Sequence, residues 1–153
     1  MRLTAFSDYA LRLLMYTASA GGRVITIEEA ARSFTVSKTH LNKVANTLTR
    51  SGYLKAIRGR SGGLVLGRRP ELIRIGDVVR LTEPDFALVE CFSTANQCIL
   101  TGSCKLSSMF GEAIASFQNT LDRYTLADIT LMPEDFIGGP ILSVRTGVAR
   151  NGA

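Results

Sequence analysis

The sequence predicts a mainly α-helical chain with one small β-hairpin wing: a winged helix-turn-helix followed by a long helix with an apolar seam. Three observations predict it. Two short helical patterns flank a tight turn at Phe34-Thr35-Val36, and the second is polar on its outer face. An arginine–glycine hairpin between Tyr53 and Leu66 follows at once. From Lys105 onward, apolar residues recur at near-heptad spacing.

The elements follow in order. Ser7 is placed to cap helix one, with Asp8 in its first turn, where a carboxylate suits the helix dipole. Leu11, Leu14, Met15 and Ala18 recur at helical spacing until Gly21-Gly22 stops them. Thr26 and Glu29 form a capping box that opens a helix to about Ser33, with Ile27, Ala30 and Ala31 inward. Ser37 caps the next helix, roughly Lys38 to Ser51. There Leu41, Val44, Ala45 and Leu48 share one face, and Lys38, Thr39, His40, Asn42, Lys43, Asn46 and Arg50 occupy the other. After Gly52, Tyr53 to Arg58 reads as a strand, Gly59 to Gly63 as its turn, and Leu64 to Leu66 as the return. Arg58 and Arg60 lie at the tip, with Arg68 and Arg69 just beyond. Pro70 breaks the chain, and Ile75 to Leu81 suits a short helix ended by Pro84. In the long helix Leu106, Phe110, Ala113, Phe117 and Leu121 form the stripe expected of a dimerisation helix. Thr125 to Ile129 suits a short capped turn.

Between the winged part and the long helix lies a stretch without clear period that holds all three cysteines, Cys91, Cys98 and Cys104. Disulfides would leave one over. Zinc usually shows tighter C-x2-C pairs with a fourth ligand nearby, and the lone histidine, His40, is far back in the chain. An iron–sulfur cluster tolerates wider spacing and fits better; three independent thiols remain the alternative.

The 153 residues carry a net charge of +5, divided unevenly: residues 1–80 sum to +9 and residues 81–153 to −4. A basic front half with a polar-faced second helix and an Arg-tipped hairpin points to double-stranded DNA. Ser37, Lys38, Thr39, His40 and Lys43 face the groove, Asn42 and Asn46 add base or phosphate contacts, and Arg58 and Arg60 serve the wing, whose glycines let the backbone approach DNA. No apolar run reaches membrane length and no signal peptide is evident, so the cytoplasm is expected, where free thiols are at home. No His/Asp/Ser set or phosphate-cradling loop suggests an enzyme.

The residues that carry these readings also resemble a family. Leu3-Thr4, Asp8 to Arg12, Val36-Ser37, Ile57 to Gly63, Ile75 to Val79 and the three cysteines, in that order, resemble the Rrf2-type winged-helix regulators. The back half, Leu88 to Cys91 and Cys104 to Asp128, is most similar to the nitric-oxide-sensing repressor branch of that family. The likeness covers about residues 1–130. It implies a homodimer that binds an inverted-repeat operator while carrying a [4Fe–4S] or [2Fe–2S] cluster on Cys91, Cys98 and Cys104. Asp8 would be the fourth ligand, given by the partner subunit, and nitrosylation of the cluster would release the operator. An iron-responsive repressor of the same family is the alternative, and a metal-free thiol switch is the alternative from another class. The expected organisation is a DNA-binding domain at 1–82, a cysteine loop at 83–104, a dimerisation helix and cap at 105–131 and a loosely ordered tail at 132–153.

Overall fold

A computed structural model describes residues 2–136 of the chain. The order of elements is α1 (Ala5–Ser19), α2 (Ile27–Phe34), α3 (Lys38–Arg50), β1 (Leu54–Ile57), β2 (Gly63–Leu66), α4 (Ile75–Thr82), α5 (Lys105–Asp122) and α6 (Leu126–Ile129). Among the described residues, no helix is long and apolar enough to cross a membrane.

α1 begins earlier than the sequence predicts. Thr4, with extended backbone, is the N-cap, and its hydroxyl accepts from the Ser7 N–H at 3.3 Å. Ser7 is therefore not the cap. It lies inside the first turn, fully buried, and its hydroxyl shares a hydrogen bond of 2.8 Å with Thr82 of α4. Thr26 caps α2 as expected, accepting from the Glu29 N–H at 3.1 Å. α2 continues to Phe34, because that ring is buried in the core, and the turn is made by Thr35 in the left-handed region at φ 56°. Ser37 occupies the N-cap of α3, but its side chain makes no capping hydrogen bond.

β1 and β2 pair antiparallel, Leu54 opposite Leu66 and Ile57 opposite Gly63. Ile25 adds a third partner, exchanging hydrogen bonds of 2.9 and 2.8 Å with Leu64. The core forms where α1, α3 and this small sheet meet, around Leu13, Leu14, Ile25, Leu41, Leu48 and Leu54. Leu126 of α6 is fully buried in the same core. The segment after the long helix thus folds back onto the winged part, and Arg74 and Thr125 form a β-bridge where they meet.

α5 is the exception, since none of its eighteen residues is buried. Of the stripe, Phe110, Phe117 and Leu121 are half-buried, while Leu106 and Ala113 are exposed. The expected loose tail needs correction at its start. Pro133–Phe136 forms a 3-10 turn, and the Phe136 ring packs edge-on at 5.2 Å from Tyr16 and at 6.3 Å from Phe34. A single anchoring ring leaves no periodicity to read. Residues 137–153 of the expected tail lie outside the described residues.

Candidate functional site: a basic face and a thiol loop

α3 buries Leu41, Val44, Ala45 and Leu48, which lie at i, i+3, i+4 and i+7, so its opposite face must point outward. Ser37, Lys38, Thr39, His40, Asn42, Lys43 and Asn46 are all exposed, as are Arg58 and Arg60 on the hairpin. Among the described residues only Lys38 of this set is in an ion pair, with Glu28 at 3.2 Å. Donors left free in this way are available to an anionic partner.

The hairpin glycines serve the protein's own packing more than a ligand's approach. Gly59 turns the tip at φ 111°. A Cβ at Gly62 would collide with the Ile57 carbonyl, and one at Gly63 with the Ile25 carbonyl. The last two glycines therefore admit the neighbouring backbone of the sheet. Arg68 does not extend the basic tip either. It donates to the Ser51 carbonyl at 2.9 Å, and its guanidinium lies 4.7 Å from the Tyr53 ring centre, closing the C-terminal end of α3.

The thiol loop runs from Glu83 to Cys104. At its start the Glu83 carboxylate accepts from the Thr4 N–H at 2.8 Å and from the Thr4 hydroxyl at 3.0 Å, which ties the loop's root to the beginning of α1. At its end Cys104 is the N-cap of α5, where unpaired N–H groups favour an anionic group. Between them the chain is held by local bonds: the Asn96 side-chain oxygen accepts from the Cys98 N–H at 2.9 Å, and the Thr101 hydroxyl donates to the Cys98 carbonyl at 2.8 Å. Cys91, Cys98 and Cys104 are all free thiols and half-buried. Among the described residues, no three His, Cys, Asp or Glu side chains stand together as a metal-binding group. Donor type nevertheless suits an iron–sulfur cluster, with three thiolates and one place left for another ligand, and the cysteine-bearing part of the loop, whose hydrogen bonds are all short-range, can draw its thiols inward.

Asp8 lies on α1, half-exposed, paired with Arg12 one turn on at 2.9 Å. On either side of it Phe6 and Tyr9 line a groove of about 210 Å³ with His40, Lys43 and Val44 of α3. Asp8 itself does not line that groove; its carboxylate is turned to Arg12. Neither the Thr4–Glu83 and Ser7–Thr82 ties nor the Arg68 cap is marked in the sequence, because each joins residues more than a dozen positions apart.

The chain matches the Rrf2 family, described as iron-dependent transcriptional regulators, over residues 3–131. It is 45% identical over 139 residues to the HTH-type transcriptional regulator NsrR of Bacillus licheniformis, covering 90% of this chain and 96% of that one. It is 42% identical to the regulator of the same name in Bacillus subtilis, again over 139 residues, covering 90% and 95%. Among solved structures, CymR of B. subtilis, the global cysteine regulator, aligns with a TM-score of 0.69 at 24% identity, covering 85% of this chain and 96% of that one. IscR of T. potens aligns with a TM-score of 0.64 at 24% identity, covering 84% and 85%. At such identities the likeness is one of fold, and it is the winged helix that the sequence predicts.

Proposed function

Because the chain belongs to the Rrf2 family of transcriptional regulators, we propose that it is a DNA-binding repressor whose loop thiols hold an iron–sulfur cluster and whose grip on DNA is relieved by nitric oxide. The observation that carries this reading is the joining, in one chain, of an exposed, largely unpaired basic face to three free thiols on one short loop. The signal follows from the likeness of the back half to the nitric-oxide-sensing branch.

Two copies pair through the α5 stripe of Leu106, Phe110, Ala113, Phe117 and Leu121; that no residue of this eighteen-residue helix is fully buried within one chain, and that Leu106 is exposed, supports this. The α3 helices enter successive major grooves of an inverted-repeat operator. Ser37, Lys38, Thr39, His40, Asn42, Lys43 and Asn46 meet bases and phosphates, and Arg58 and Arg60 reach from the wing. Cys91, Cys98 and Cys104 hold the cluster, with Asp8 of the partner subunit as its carboxylate ligand. When bound, the cluster would supply an iron site open to a small ligand such as nitric oxide. The Asp8 carboxylate has a second option, Arg12 at 2.9 Å on its own helix, so its release leaves no bare charge. Phe6 and Tyr9 pack against α3 beside His40 and Lys43, so any change in how α1 is held reaches the DNA face.

The test is an absorbance spectrum of anaerobically purified protein during titration with nitric oxide, with operator binding followed in parallel. A brown protein that bleaches as DNA is released is the expected result. A brown protein indifferent to nitric oxide but releasing DNA on iron chelation would move the signal to iron, the reading that the family's description favours. A protein that never colours after reconstitution with iron and sulfide would remove the cluster and leave a thiol switch.

A further inference from the structure

The seam between α4 and α5 holds a charge cluster that the reading above does not use. From α4, Arg80 Nη2 donates to Asp122 Oδ1 at 2.6 Å and Nη1 to Asp122 Oδ2 at 3.1 Å, so one guanidinium grips both oxygens of the last residue of α5. Nη2 also donates to Asp77 Oδ1 at 2.7 Å, which fixes the fork against its own helix. Gly76 is buried under this contact, and a Cβ there would collide with the Asp122 carboxylate. The only residue type without a side chain thus stands where the acid must come close. The electrostatics agree: the Arg80 hydrogen bond holds the Asp122 carboxyl below the usual carboxylate range.

No residue of α5 is fully buried; Phe110, Phe117 and Leu121 are half-buried along its seam. Its C-terminal end is pinned to the start of α4 by backbone bonds, Ile75 N–H to the Tyr124 carbonyl at 2.9 Å and Leu126 N–H to the Ile73 carbonyl at 2.8 Å. Backbone bonds at one end leave the angle of the helix to its side-chain contacts. The Arg80 fork is a second attachment: it starts five residues beyond Ile75 on α4 and reaches back to hold the Asp122 carboxylate over Gly76. Because α5 is about 27 Å long, a small shift at the fork is magnified at the far end. We propose that Arg80, through Asp122 and Asp77, is a positioning residue that sets the angle of α5 on the winged unit and so the half-site spacing that the dimer reads. This inference rests on the reading of the chain as a DNA-binding dimer joined by α5.

The test compares the wild type with Asp122→Asn, which keeps the shape and removes the charge, and with Arg80→Lys, which keeps the charge and removes the fork. Each full-length protein selects from a pool of randomised duplex DNA. Affinities are then measured for the recovered inverted repeat, for repeats with half-sites moved by one and two base pairs, and for a single half-site. Both variants are expected to recover the same half-site sequence with a broader range of spacings. They should bind the wild-type spacing about two- to fivefold more weakly, with the single half-site unchanged within about twofold. An equal loss on every duplex, single half-site included, would place the cluster in the stability of the winged unit and overturn the proposal. So would an unaltered spacing preference in both variants. A wild type that recovers no sequence would instead remove the DNA-binding reading itself.

Discussion

Arg60→Ala and Arg68→Ala separate DNA contact from fold support on one hairpin. Both arginines are exposed and both follow α3. Arg60 sits at the tip beside Gly59 and, among the described residues, enters no ion pair. Arg68 is folded back onto Tyr53 and the Ser51 carbonyl. If Arg60 meets one phosphate in each subunit, its removal takes two contacts from the dimer, and the slope of log affinity against log salt falls by about 1.8. Over a fourfold rise in salt the wild type then loses about twelvefold more affinity than the variant. Arg68→Ala loses a hydrogen bond to a carbonyl and a cation–π contact, about 1–2 kcal/mol together, and melts about 5 °C lower with an unchanged slope. The assay is fluorescence anisotropy of a labelled operator at four salt concentrations, with thermal unfolding alongside. An unchanged slope in Arg60→Ala, or an equal fall in Arg68→Ala, would refute the division of roles.

Three further outcomes are expected. Thr82→Val removes the 2.8 Å partner of the buried Ser7 hydroxyl, leaving it the longer 3.3 Å contact with the Thr4 hydroxyl, and should cost about 1 kcal/mol by urea denaturation; an unchanged midpoint would mean that the Thr4 contact suffices. Leu126→Ala should cost about 2–5 kcal/mol although it lies beyond the long helix, because Leu126 is fully buried in the common core; a loss under about 1 kcal/mol would argue that α6 does not share that core. Asp122 should make stability depend on acid pH. Its folded-state carboxyl is held below the ordinary value, chiefly by the Arg80 hydrogen bond, so its contribution is full above the unfolded value of about 4 and is lost as pH falls through the lower folded value. Asp122→Asn should flatten that part of the stability–pH curve, and an identical curve would show that the pair contributes nothing to folding.

The winged helix was legible because its signals are local. Thr26 and Glu29 announce α2 within four residues, and the period of Leu41, Val44, Ala45 and Leu48 fixes which face of α3 points out. The start of α1 was misread because Thr4 and Ser7 are both good caps. Burial decides between them: Ser7 meets Thr82 across the core, which no window of sequence contains. The tail was misread at Phe136 for the same reason, since its partners Tyr16 and Phe34 lie at the other end of the chain.

The sequence by itself determined the class of fold, the polar face of α3, the Arg-bearing hairpin and the three thiols in one loop, because spacing and residue type suffice for each. Only the tertiary structure decided which arginines are free and which are spent. Arg60 is left open to solvent while Arg68 closes α3 and Arg80 grips α5. It also decided why Gly62, Gly63 and Gly76 are glycines. Each of these depends on which distant backbone or carboxylate comes within a few ångströms, and that distance is set by packing, not by position along the chain.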